Sequence, residues 1–280
     1  MIPLAPLAGG SSSGAFRINA RGQVVGYSDT GANPIVGDSF HPTLWRHGVI
    51  TDLGTLGGDF GQALGINNWT QVVGSSDTDM QNPFFPFRPF LWENGLIKDL
   101  GTLGGPQGQA FSINDNGSVI GTSDTDQIGV DGFPIFRATL WKRGAVQVLA
   151  TPEGFFTEAI HINNSGQIVG DVIPPGGVPH AALWDNSQAQ AIDLNSLIPE
   201  DSGWELLFAN NINDNGVIVG DGLYQGEQRG FLLTPTTEGR GNAHANFNLS
   251  QMKRNRGNIP LTLFKRVRRG DFRALFQRGR

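Results

Sequence analysis

Ile66-Asn67-Asn68-Trp69-Thr70-Gln71-Val72-Val73-Gly74 decides the fold, because the chain repeats its pattern. An Ile-Asn pair, a turn and an apolar run closed by glycine also begin at Ile18-Asn19, Ile113-Asn114, Ile162-Asn163 and Ile212-Asn213. The five asparagines are 48, 47, 49 and 50 residues apart. A period in that range marks one supersecondary unit used repeatedly, stable only when its faces are buried against neighbours.

Working outward from Ile66, Gln62–Asn67 reads as a strand and Asn68-Trp69-Thr70 as its turn, where other units carry Asp115-Asn116-Gly117 or Asp214-Asn215-Gly216. Asn and Gly are the residues tight hairpin turns demand. Gln71–Ser75 is a second strand, Arg88–Trp92 a third and, after Glu93-Asn94-Gly95, Leu96–Leu100 a fourth. Four short strands per unit predict an all-β, five-bladed β-propeller of four-stranded antiparallel blades; the tight turns disfavour a parallel solenoid.

The last unit has three strands, and Leu4-Ala5-Pro6-Leu7-Ala8-Gly9-Gly10 aligns with Leu53–Gly58 and Leu100–Gly105. The expectation is that this N-terminal strand closes the last blade, with Leu4 and Leu7 beside residues 229–233. Trp45, Trp92, Trp141 and Trp184, with Leu233 at the fifth position, are expected in the core between blades.

The repeats span residues 1–239, with 9 Lys/Arg against 24 Asp/Glu; residues 240–280 are a basic tail with 11 against 1. The acidic body disfavours nucleic acid, because phosphate would be repelled. The tail is expected to be flexible or self-docked, with an acidic surface as its contact. Absence of cysteine excludes disulfides and thiolate chemistry. No apolar run is long enough for a transmembrane helix, and Met1–Ala8 has no basic, apolar leader, so no signal peptide is read.

Four residues before each recurrent core position stands His41, Arg88, Arg137, His180 or Arg229. Two readings stay open: a repeated brace to carboxylates such as Asp52, Asp99 or Asp193, or a ring of donors holding an anionic or hydroxyl-rich ligand. Asp77 and Asp79, with Asp124 and Asp126, supply clustered oxygens of the kind Ca²⁺ takes; loop capping explains them equally. The blade loops, with Phe84 and Phe85 between prolines, form the expected ligand face for saccharide or protein. Glycosidase chemistry would need two carboxyls set apart from the repeat, and no spacing singles out a pair from Glu93, Glu153, Glu158 and Glu205.

Asp52-Leu53-Gly54-Thr55-Leu56-Gly57-Gly58, Ile66-Asn67, Val72-Val73-Gly74-Ser75 and Phe90-Leu91-Trp92 recur in order, and His180-Ala181-Ala182-Leu183-Trp184 closes the fourth unit. Over residues 1–235 the chain resembles the HAF family of probable extracellular bacterial repeats. That resemblance implies an extracellular or cell-envelope setting and no catalytic set. The expected function is a non-catalytic binding module, lectin-like or protein-binding. The alternatives are a structural, self-assembling surface protein and a glycosidase-like propeller.

Overall fold

A computed structural model describes residues 3–33, 37–78, 87–129 and 132–235. Phe84, Phe85, Asp79 and the basic tail lie outside the described residues. The first sheet comprises β1 (Ser13–Ile18), β2 (Val24–Asn33), β3 (Gly37–Arg46) and β4 (Val49–Asp52). The second holds β5 (Gly61–Ile66), β6 (Val72–Asp77), β7 (Phe87–Glu93) and β8 (Leu96–Asp99). The third holds β9 (Gly104–Ile113), β10 (Val119–Ile128), β11 (Pro134–Lys142) and β12 (Ala145–Val148). The fourth runs from β13 (Phe156–Ile162) and β14 (Ile168–Ile173) to β15 (His180–Trp184) and β16 (Ile192–Asp193). The fifth, β17 (Trp204–Ile212), β18 (Ile218–Tyr224) and β19 (Glu227–Leu233), has three strands among the described residues. All pair antiparallel with sequence neighbours, the up-and-down sheet of a β-propeller.

The repeated asparagine does two jobs. Its Oδ1 accepts backbone N–H groups two and four residues on, as Asn67 does from Trp69 and Gln71 at 3.0 Å each, which shapes the hairpin. Its Nδ2 reaches the next sheet: Asn19 donates to the Asn67 carbonyl (2.9 Å), Asn67 to Asn114 (3.1 Å), Asn114 to Asn163 (3.0 Å) and Asn163 to Asn213 (3.0 Å). One residue type thus sets both the turn and the spacing of units.

Between sheets, the face carrying Val25 and Leu44 packs on Ala63, Val72 and Phe90 of the next sheet. Val73 meets Ala110, Ile113, Val119 and Trp141 in the same way, and Val169 meets Ala209, Ile212, Ile218 and Phe231. Trp45, Trp141 and Trp184 are buried and give their indole N–H to the carbonyls of Ala5, Gly101 and Ala150. The expected core role of the tryptophans holds at these three positions, while Trp92 is half-buried.

The N-terminal segment departs from expectation. Leu7 N–H donates to Ser28 Oγ (2.8 Å), and the Leu4 carbonyl accepts from Ser13 Oγ (2.8 Å). Leu56 and Leu103 donate to Ser76 and Ser123 likewise, so the alignment of these segments is right but their role is a connector entering the following sheet. The residues aligned with the fourth strand, Ile50–Asp52, are Met1–Pro3, of which only Pro3 is described. Leu4 and Leu7 therefore do not pair beside β19.

The packing between the fifth and first sheets also differs from the other four junctions. Val25, Val73, Ile120 and Val169 are fully buried, yet Val219 at the same register is 41% exposed and its cross-strand partner Leu232 is 64% exposed. On the first sheet Ala15 is exposed, whereas Ala63, Ala110, Ala159 and Ala209 are completely buried. Ile18 is 67% exposed, against 4% for Ile162. Among the described residues Asn213 gives no side-chain bond to the first sheet, and Ala20 has no side-chain acceptor where the other units carry Asn68, Asp115, Asn164 and Asp214.

Candidate functional site

Three of the five recurrent basic groups meet the carboxylates of the brace reading. His41 Nδ1 lies 2.8 Å from Asp52, Arg88 Nε 3.0 Å from Asp99, and His180 Nδ1 2.8 Å from Asp193. These are the three carboxylates named for a brace, and each is reached within its own sheet, from third strand to fourth. Arg137 donates to the carbonyl of Phe155, and Arg229 pairs with Glu227 on β19. His41, Arg88 and His180 thus serve as the brace.

The described aspartates of the expected calcium site differ in burial. Asp77 is fully buried, Asp124 is buried and Asp126 is exposed, on the second and third sheets. Among the described residues no group of three or more His, Asp or Glu side chains is placed to hold a metal ion. Asp77 Oδ1 accepts from Phe60 N–H at 2.9 Å, tying strand to connector. Its Oδ2 and that of Asp59 are buried without partners. Burial, with the Asp59 charge opposed by backbone hydrogen bonds, raises the Asp77 pKa to about 6.

Residues converge instead at the opposite end of the strands. Antiparallel order puts the Ile-Asn turns at one end of every sheet and the loops after the second strands at the other. Turn residues of all five sheets line a single depression of about 220 Å³, among them Asn19, Asn67, Asn114, His161, Asn163 and Asp214. Each first strand carries a register shift just before its turn, at Phe16, Leu64, Phe111, Ile160 and Asn210 in succession. Such bulges re-aim the side chains that follow. The position after the bulge is not repeated: it is Arg17, Gly65, Ser112, His161 and Asn211.

His161 is the most perturbed group there. Burial first, then the nearby Arg17 charge, lowers its pKa to about 4, against the opposing influence of a hydrogen bond with the Ile212 backbone and the Asp214 charge. The imidazole is therefore neutral at physiological pH, and its buried Nδ1 has no partner. Arg17 belongs to the first sheet and His161 to the fourth, so this coupling crosses between non-neighbouring sheets. Desolvation by burial also lowers the guanidinium pKa of Arg17. Arg17 has no hydrogen-bond or ion-pair partner among the described residues.

The second turn breaks the pattern twice. Trp69 stands where other units have Arg21, Asn116, Ser165 and Asn215, and is 69% exposed. Its indole N–H donates to the carbonyl of Asp115 (2.9 Å), a residue lining the depression, which holds the ring in place. Thr70 follows at φ +66°, where the other turns have Gly22, Gly117, Gly166 and Gly216. A β-branched residue in the left-handed region is strained, and such strain concentrates at functional sites. Sequence reading passed over Arg17, His161 and Trp69 because it followed what recurs; their signal is departure from the repeat at fixed register.

No curated protein matches this chain. Similar solved structures include a puromycin-hydrolysing peptidase of Mycobacterium tuberculosis, 14% identical over 83% of this chain and 38% of that one, with a TM-score of 0.47. An acylaminoacyl peptidase of Pyrococcus horikoshii is 14% identical over 74% of this chain and 35% of its own, with a TM-score of 0.44. The β-propeller domain of the Trilobed protease from Pyrococcus furiosus, described as having an open velcro topology, is 10% identical over 81% and 82% of the two chains, with a TM-score of 0.35. This chain thus spans less than two fifths of the two peptidases. At these identities and TM-scores the likeness says nothing of activity. The sequence signature of one family matches residues 60–258, and the chain belongs to that family, the proteins of unknown function DUF3466.

Proposed function

We propose that this chain is a non-catalytic binding module: a five-bladed propeller that takes a small polar ligand, a saccharide before a peptide, at the end carrying its Ile-Asn turns. The HAF-like repeats support an extracellular or cell-envelope setting. One observation carries the reading. Turns from all five sheets line one depression, and the residues that break the repeat, His161 and Trp69, lie in it or are tied to its lining. A repeated scaffold with non-repeated residues at one mouth is how a symmetric fold gains a single site. The test is an NMR titration of the full chain with a saccharide panel and with short peptides. Shifts should gather on Asn67, Asn114, Asn163, Trp69 and His161. Shifts confined to the loops after the second strands would move the site to the opposite end and refute the reading.

A second reading, self-assembly, is favoured by the open junction between the fifth and first sheets. Val219 and Leu232 present one half of an inter-sheet contact, and Ala15 and Ile18 the other. Joined between copies, these faces would make a head-to-tail contact. Light scattering decides. Wild type should associate, Leu232→Glu and Ile18→Glu should each be monomeric, and a monomeric wild type sinks this reading.

A further inference from the structure

Three features at the turn end of the sheets point to one ligand chemistry, on the reading that the turn face binds: His161 lines the depression, Trp69 adjoins it through its bond to Asp115, and Arg17 lies near enough to couple electrostatically to His161. The first is Trp69, exposed, anchored through its Nε1 and held on a strained turn. A fixed, solvent-facing aromatic plane offers apolar area at little entropic cost, and the C–H face of a sugar ring covers it. The second is Arg17, a partly buried guanidinium without a partner among the described residues. A planar cation with five donors is matched best by a carboxylate, through two parallel N–H···O bonds. The third is His161 Nδ1, a buried acceptor that asks for a donor such as a hydroxyl.

Other groups on this face select against alternatives. Asp115 and Asp214 already accept from the backbone N–H and Nδ2 of Asn68 and Asn164, at 2.8–3.0 Å. Their remaining lone pairs suit hydroxyls, and their charges disfavour a polyanion. A depression of about 220 Å³ suits one small ring rather than a drug-sized molecule. We infer that the turn face binds a carboxylate-bearing sugar of the uronic-acid class, its ring on Trp69, its carboxylate at Arg17 and a hydroxyl at His161 Nδ1.

The experiment compares D-galacturonate, its methyl ester and D-galactose on the full chain, by calorimetry and by NMR of the Trp69 indole and His161 ring. The ester keeps the ring and removes the charge. The expected result is that galacturonate binds and shifts both resonances. The ester and galactose should bind about tenfold more weakly or worse. Arg17→Ala should erase that preference without unfolding the chain, since Arg17 has no partner among the described residues to orphan; Arg17→Lys should keep part of it. Trp69→Ala, an exposed substitution, should weaken all three sugars together.

Equal binding of all three sugars, unchanged in Arg17→Ala, would overturn the carboxylate assignment while keeping the turn face as a site. Failure of every sugar to move Trp69 or His161 would overturn the inference whole. A peptide that moved them would then keep the turn-face reading; if no ligand did, that reading would fall as well.

Discussion

Replacing Asp77 by asparagine should stabilise the protein, and only above about pH 4. Asp77 is completely buried, with Oδ2 unpartnered, as is the Oδ2 of Asp59. Its pKa is raised from 3.8 to about 6 in the folded state, by burial first. The folded state therefore holds the proton more tightly than the unfolded chain, so stability falls as pH rises from 3.8 through about 6. Each pKa unit corresponds to about 1.4 kcal/mol, which puts the loss near 3 kcal/mol at pH 7 as an upper bound. Asparagine keeps the Oδ1 that accepts from Phe60 and puts no charge into the buried site. Asp77→Asn should then gain up to about 3 kcal/mol at pH 7, roughly 6–12 °C in Tm, and nothing at pH 3.5.

Asp29, at the matching position of the first sheet, supplies an internal control of opposite sign. Burial pushes its pKa up, but hydrogen bonds from the Ser11 and Gly31 N–H groups and the Ser11 hydroxyl outweigh this and hold it below the ordinary value. Its charged form is thus stabilised by folding, and that contribution is lost as pH falls through the depressed folded pKa. Asp29→Asn should destabilise at pH 7. Urea midpoints of both variants and wild type across pH 3.5–8 make the measurement. Parallel pH profiles for Asp77→Asn and wild type, or the same sign for both variants at pH 7, would refute the reasoning.

Thr70→Gly should relieve the positive φ and gain about 1 kcal/mol in thermal unfolding, less whatever the bond from Thr70 Oγ1 to Gln23 contributes. Gly121→Ala should cost at least about 3 kcal/mol or abolish soluble protein, since its Cβ would sit 1.9 Å from the Gln109 carbonyl oxygen; Gly48→Ala, in open space at φ +77°, should cost about 1 kcal/mol. Asn114→Ala removes two turn-shaping bonds and the one to Asn163, whereas Asn213→Ala removes only the two turn-shaping ones. Denaturant titration should show Asn114→Ala the more damaging by about 1 kcal/mol, the worth of one inter-sheet bond.

The strands were legible because the repeat writes each one several times: an Ile-Asn turn read once as a hairpin has to be a hairpin five times. The braces at His41, Arg88 and His180 were legible for the same reason, each basic group recurring with a carboxylate at a constant strand offset. Two things were not. Leu4–Gly10 matches the segments that link sheets, and sequence similarity cannot say which of the two sheets such a linker serves; the Ser28 and Ser13 hydroxyls assign it to the first. The site was hidden for a different reason. Arg17, Gly65, Ser112, His161 and Asn211 share a register position and nothing else, so a search for recurrence discards them.

That contrast carries a physical rule for folds of this kind. Residues that recur are tied down by the lattice of units. Asparagine shapes the turn and reaches the next sheet, serine and aspartate hold the connector, and tryptophan fills the gap between sheets. Such residues spend most of their hydrogen-bonding capacity on the fold, Asp77 Oδ2 being an exception. A ligand needs groups whose hydrogen-bonding capacity the fold leaves unspent, and those can only stand where the lattice does not dictate identity. Among the described residues such groups are the Arg17 guanidinium, His161 Nδ1 and the exposed Trp69 indole plane. They occupy the post-bulge register and one turn tip, and they gather at the same end of the sheets. Exposed apolar residues at the junction of the fifth and first sheets obey the complementary logic: Val219 and Ile18 hold lattice positions that are buried at the other junctions, and on the self-assembly reading they are a surface for another sheet rather than for a small molecule.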